Sequence, residues 1–265
     1  MSLILKITNT IVFLFFLGSN LYTIVDEHHV STPWGQHPTY LTPDYWAFYI
    51  WGLTYFLLAG FTVWQWIPNS EEVNITVNDV YSHHYALAAI TSALWRTLWS
   101  ENHLWLSALV ILFSYLSLGH LVANLHRARV EAGTPSTLIQ RVFVHTPIYL
   151  WWHTTGFVLL LNILAIVTHF YDATKPSVWD VIATEVAFLV LLSHAVGTTE
   201  ANDNHLPGNL VLSWFLFAVA AHQPHPIIRW SAIIVGVIAL VYPFKALLRR
   251  RTAEETPLLR PDSDV

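Results

Sequence analysis

The chain contains no cysteine, so disulfides, thiol nucleophiles and thiolate metal sites are all excluded. It is also short of charge. Only 11% of its 265 residues are Asp, Glu, Lys or Arg, against about a quarter in an ordinary globular domain. Basic residues number 12 and are scattered, which rules out a nucleic-acid surface. The formal net charge of −5 says little about partners, because the acids fall in loops and in the tail. What fills the chain instead is apolar: 54% hydrophobic residues, with 13 Trp, 11 Tyr and 14 Phe. That balance belongs to a polytopic membrane protein.

Thr42 to Trp66 reads as the stretch around which the chain is built. It carries no charge after Asp44, and ten of its 25 residues are aromatic. A helix of that length spans a bilayer. On a helical wheel Phe48, Trp51, Gly52, Tyr55, Ala59 and Thr62 share one face, while Ile50, Leu53, Leu57 and Phe61 form a greasy opposite face. Large rings mixed with small residues let another helix or a flat ligand come close. Tyr45, Trp46, Trp64 and Trp66 sit near the two ends, where interfacial anchors belong. On residue type alone, belt and packing roles are the more ordinary explanation of these aromatics. Thr42 is placed as the helix cap, with Pro43 at the first helical position.

Hydropathy predicts an all-α bundle of about eight spans: Leu3–Val25, Thr42–Trp66, His83–Trp99, His103–Leu125, Val142–Thr168, Val178–Thr198, Leu206–His222 and Ile227–Leu248. Residues 1–251 form the transmembrane domain, and 252–265 a short acidic tail. Asn69–Asp79 and 126–141 are read as loops. Nine of the 12 Lys and Arg fall on one side if both termini are cytosolic, which sets the orientation and keeps the Asn74-Ile75-Thr76 sequon in the cytosol.

The residues resemble a known family at several points. Pro43, Trp46, Phe48, Trp51 and Tyr55 resemble the second-helix signature of the TspO/translocator protein family, the tryptophan-rich sensory proteins. The match is best to a longer branch of it, and the end of the chain, around Trp214 and Ile227–Ala232, is similar to fungal relatives of that branch. Ser92-Ala93-Leu94-Trp95 resembles a third-helix motif that normally begins with Asn, and Pro147, Tyr149–Trp152 and Asn162 resemble the fifth helix. Ser92 departs from that Asn, one proline of the short family's pair is absent, and three helices follow the usual five. The resemblance implies a helical bundle with a ligand cavity among the first five helices and flat hydrophobic ligands, tetrapyrroles or sterols. It implies no enzymatic activity and no resident cofactor; porphyrin or haem enters only as a ligand. The expected ligand-binding residues are Phe48, Trp51, Tyr55, Trp95, Trp151, Trp152 and Asn162, the rings stacking and the amide supplying a directional hydrogen bond.

Other features compete. The 15 histidines lack the close pairs of membrane di-iron enzymes, and His103 and His120 lie 17 residues apart, near opposite ends of one helix. No metal site is expected. Glu185, seven residues into a span, is costly there unless neutral or paired. With His194 it would suit a small-solute or proton-coupled transporter, the alternative function. In the tail, Glu254 with Leu258 and Leu259 fits an acidic dileucine address for a clathrin adaptor, pointing to endosomal or vacuolar membranes. Membrane lipids and a hydrophobic small molecule are the other expected partners. A homodimer is compatible with the sequence, and nucleic acid is not.

Overall fold

The computed structural model describes residues 2–25, 36–67, 71–133, 136–169, 177–201 and 206–255. Among these the chain is helical without strands, and eight long helices carry it. They are α1 (Ser2–Val25), α2 (Tyr45–Trp64), α3 (Ser82–Ser100), α4 (Leu104–Ala132), α5 (Thr146–His169), α6 (Val178–Ala201), α7 (Leu206–His222) and α8 (Pro226–Glu255). The polytopic all-α bundle expected from the sequence is what forms. Six of the eight, α1, α2, α4, α5, α6 and α8, are long and apolar enough to cross a membrane. α7 is apolar but has 17 residues, and α3 is diluted by histidine, hydroxyl residues and Arg96. Exposed Leu109, Phe113 and Leu116 on α4 and Leu189 and Val190 on α6 give the outside a greasy surface suited to lipid.

Several boundaries move for local reasons. Thr42 caps no helix; its hydroxyl accepts from the Thr39 backbone N–H (2.8 Å), and α2 begins at Tyr45 with a 3₁₀ turn through Tyr49. That approach is fixed from outside, because Gln223 donates to the carbonyls of Thr39 (3.1 Å) and Thr42 (2.9 Å). The expected polar loop before α3 is in fact a short helix, Glu71–Ile75, running into a π-turn, Thr76–Tyr81. It is anchored by Tyr81, which stacks on Phe61 at 3.9 Å and donates to the Val144 carbonyl. α4 continues through much of the supposed basic loop and stops at Gly133, whose φ of +62° is the left-handed cap that glycine takes without strain. α8 runs on to Glu255, past the domain boundary read at 251, since Ala253-Glu254-Glu255 are good helix formers. Leu258 and Leu259 lie outside the described residues.

α5, and not α2, is the centre. About two thirds (67%) of its span is buried, against 33% for α2. It packs on α2, α4, α6 and α7, and it is apolar on all sides, as an interior helix must be. α2 uses the bundle differently from the wheel. Leu57 and Phe61 of its supposed lipid face are buried, and Leu53 and Phe56 are exposed. The covered side thus cuts across the wheel's greasy face, because packing of neighbouring helices and not residue type decides which positions are covered.

Candidate ligand cavity

A cavity of about 300 Å³ opens where the C-terminal half of α1, the start of α2 and the C-terminal half of α3 meet α4 and α5. Phe16 and Asn20 come from α1, Tyr45, Phe48, Tyr49, Trp51 and Tyr55 from α2, and Ser92, Trp95 and Arg96 from α3. Ile111 of α4 and Thr155 and Val158 of α5 close the back. Because α2 enters as a 3₁₀ turn and continues as α-helix, residues 45, 48, 49, 51 and 55 all reach one side. The rings brace one another: Trp51 stacks on Tyr55 (5.8 Å), and the edge of Phe16 meets Tyr55 (5.3 Å) and Trp51 (6.2 Å). Tyr45 and Tyr49 are 63% and 68% exposed, so they form the mouth.

Phe48, Trp51, Tyr55 and Trp95, four of the seven residues expected to bind a ligand, therefore line one space. Trp151 stands one layer behind, stacked on Phe16 at 4.8 Å and fully buried. Trp152 points elsewhere. Its ring stacks on Tyr115 (5.7 Å) and meets His194 (4.7 Å), between α4, α5 and α6. Adjacent residues on a helix are about 100° apart, and here that turn sends Trp151 and Trp152 to different sides of α5.

Asn162 is fully buried and does not line the cavity. Its side-chain oxygen accepts from Trp95 Nε1 (2.9 Å) and Ser107 Oγ (2.8 Å), and its Nδ2 donates to the Leu104 carbonyl (3.1 Å). These bonds tie the amide to α3 and α4, away from the cavity lining. What Asn162 does is hold the Trp95 indole in place. Ser92 lines the cavity and bonds Ser114 at 2.7 Å; since Ser114 donates to the Ala88 carbonyl, the Ser92 hydroxyl must donate to Ser114. The Ser92 oxygen keeps acceptor capacity on the cavity side.

Among the lining residues not singled out from the sequence are three polar ones, Arg96, Asn20 and Thr155. Arg96 donates through Nη1 to the carbonyl and side-chain oxygens of Asn20, both at 3.1 Å. The signal was present: Arg96 is the one Asp, Glu, Lys or Arg in α3, and an ionisable group in a span is a functional candidate by default. Thr155 is the third, with a buried hydroxyl that has no hydrogen-bond partner among the described residues.

The residues named for transport are apart from this cavity. His194 accepts from or donates to Tyr115 Oη (3.3 Å) and packs on His153 (4.7 Å). Glu185 lies nine positions earlier on α6, about 13 Å by helical rise. Among the described residues no group of His, Asp and Glu could hold a metal ion. A second, more polar hollow of about 610 Å³ lies at the opposite end, among Glu71, Glu72, Arg129, Glu131 and His145.

A family model described as TSPO-like protein matches residues 6–244, a range that takes in α2 to α7 whole and most of α1 and α8. A search of curated proteins and a search of solved structures match nothing.

Proposed function

The chain belongs to the TSPO-like protein family, and from that premise we propose that it binds a flat hydrophobic ligand, of tetrapyrrole or sterol type, in the aromatic cavity. The observation that carries this is the convergence of Phe16, Phe48, Trp51, Tyr55 and Trp95, from three helices, on one space of about 300 Å³. That volume is at the lower end of ligand sites, about 300–1,000 Å³. A large ligand would seat one part inside and pass the rest between Tyr45 and Tyr49. Flat rings are what indoles and phenols stack on. The lining holds one guanidinium, an amide and hydroxyls, without carboxylate or imidazole among the described residues, so it offers no acid–base pair. Binding, and not catalysis, is the function it suits.

The test is titration of purified protein with a porphyrin and then a sterol, followed by tryptophan quenching and competition. Saturable quenching that Trp51→Ala weakens supports the proposal. If neither ligand quenches saturably, the proposal fails. Transport through Glu185 and His194 has weaker support, because about 13 Å of helix separates the two and direct proton exchange needs hydrogen-bond reach.

The protein is an integral multi-pass membrane protein. We propose further that both termini are cytosolic, from the bias of nine basic residues in 12. A reporter after Val265 should then be cytosolic, and glycosylation of native Asn74 would overturn the orientation. The adaptor signal rests on Glu254, Leu258 and Leu259; changing both leucines to alanine should shift the protein from endosomal or vacuolar membranes to the cell surface. An unchanged distribution removes it.

A further inference from the structure

From the placement of one guanidinium we infer that the ligand of this cavity is an amphiphilic acid, whose carboxylate or phosphate meets Arg96 at the mouth while its hydrocarbon body enters among the rings. The inference rests on the cavity being a ligand site. Arg96 sits in a wall that is otherwise aromatic and aliphatic, and among the described residues no Asp or Glu pairs with it. Among the described residues its hydrogen bonds engage Nη1 alone, both going to neutral oxygens of Asn20. A guanidinium presents five N–H donors in a planar fork, and the donors on Nε and Nη2 match the two oxygens of an acid. Among the described residues no carboxylate compensates this half-buried cation, which is an expensive arrangement inside an apolar bundle. An anion arriving with the ligand relieves it.

Depth along the helices sets which way the ligand lies. Asn20 and Arg96 lie in the last two turns of α1 and α3, and Tyr45 and Tyr49 open α2, so all four lie toward one end of the bundle. Phe16 and Ser92 stand four residues deeper on α1 and α3, about 6 Å by helical rise. The acid is thus held near the bundle end, where an ion is cheapest, and the apolar body goes inward. A neutral sterol would fill the rings and leave Arg96 as it is.

The experiment uses the full chain in nanodiscs and 1-pyrenebutyrate, a flat fluorescent acid, against its methyl ester, which has the same rings and no charge. The acid should bind about ten-fold more tightly than the ester, as charge-assisted hydrogen bonds require. Arg96→Gln should erase that preference, the acid then binding about as weakly as the ester, and Arg96→Lys should restore part of it. Asn20→Ala, which removes a partner of Arg96 but no charge, should keep the preference and so separates the cation's effect from damage to the fold. Adding phosphatidic acid to the nanodiscs tells the source of the anion. Competition with pyrenebutyrate in the parent protein, lost in Arg96→Gln, assigns the site to a lipid headgroup; no competition assigns it to a free acid. Equal binding of acid and ester by the parent protein overturns the inference and leaves the cavity standing. Failure of both probes to bind saturably overturns the cavity as well.

Discussion

The two buried clusters of this bundle differ in the share of large rings they hold. Where α1 to α5 meet, the buried cluster includes Phe13, Phe16, Phe61, Tyr81, Tyr85, Tyr149 and Trp151. Where α7 meets α8, buried Ala218, Val219, Ala220, Ala232 and Ala239 face a neighbour with Gly236. Small residues let two backbones approach until the gap closes. Planar rings brace edge to face and keep their centroids several ångströms apart, 5.3 Å for Phe16 and Tyr55. Such packing is tight at each contact and leaves spaces between contacts. Neither cavity draws a lining residue from α6, α7 or α8. The site follows from the choice of rings, and the closed half gives those rings a fixed floor: Phe157 of α5 stacks on Phe215 of α7 at 4.5 Å.

The comparison breaks most sharply at Trp151. Its ring is fully buried on Phe16, one layer behind the cavity. Trp151→Ala should cost about 3–5 kcal/mol, as truncation of a buried large aromatic does. Thermal unfolding in detergent measures it. If the loss is below about 1 kcal/mol, the rings of this half are not its framework.

Next comes the closed half. A Cβ on Gly208 of α7 would stand 2.2 Å from the ring of His153, which is fully buried and bonded through Nδ1 to the Tyr149 carbonyl (2.9 Å). Gly208→Ala should therefore destabilise by about 1–3 kcal/mol. A Cβ on Gly60 of α2 would meet Phe143 at a similar 2.1 Å, but Phe143 is only half-buried and can swing aside. Gly60→Ala should cost clearly less than Gly208→Ala. Equal losses of melting temperature would show that clash distance alone decides and that burial of the opposing ring does not.

Much of the fold was legible because apolar runs of helical length leave few alternatives. All eight long helices were found from hydropathy, Leu206–His222 to the residue. What failed was local. A polar segment that looks like loop forms a short helix and a π-turn ending at Ser82, at a φ of 44°, and nothing in its composition announces that. The centrality of α5 was hidden for a different reason: aromatics on α2 are more conspicuous than Gly156, Thr154, Thr155 and Asn162, which let α5 be approached from several sides. In the cavity, motif spacing brought Phe48, Trp51, Tyr55 and Trp95 together. It could not show that Asn162 spends its oxygen on Trp95 and Ser107, because a partner in another helix is invisible along the chain.

The ligand-facing role of α2 gives a smaller effect. Trp51 forms part of the wall, whereas Trp64 stacks on Phe61 at 6.3 Å, away from the cavity lining. Trp51→Ala should lose about 1–2 kcal/mol of ligand binding, close to ten-fold in affinity. Trp64→Ala should leave affinity unchanged. Quenching titrations with the same porphyrin compare them, and an equal loss in both variants would move the binding site out of this cavity.

The smallest effect has the opposite sign. The Thr155 hydroxyl is buried in the cavity wall and has no hydrogen-bond partner among the described residues. Orphaning such a group costs about 1–3 kcal/mol, and Val has the same shape without the hydroxyl. Threonine and valine are alike in helix propensity, so backbone preference cancels. Thr155→Val should therefore raise the stability of the ligand-free protein by about 1 kcal/mol. A ligand that bonds this hydroxyl would then stabilise the variant less than the parent, by a similar amount. The variant's gain in melting temperature without ligand should therefore shrink toward zero when that ligand is bound. If the ligand-free shift is zero, water already satisfies Thr155, which a cavity this size can hold given two or more polar neighbours. The aromatic end of the bundle would then be wet before ligand arrives, and displacing that water would become part of what binding has to offset.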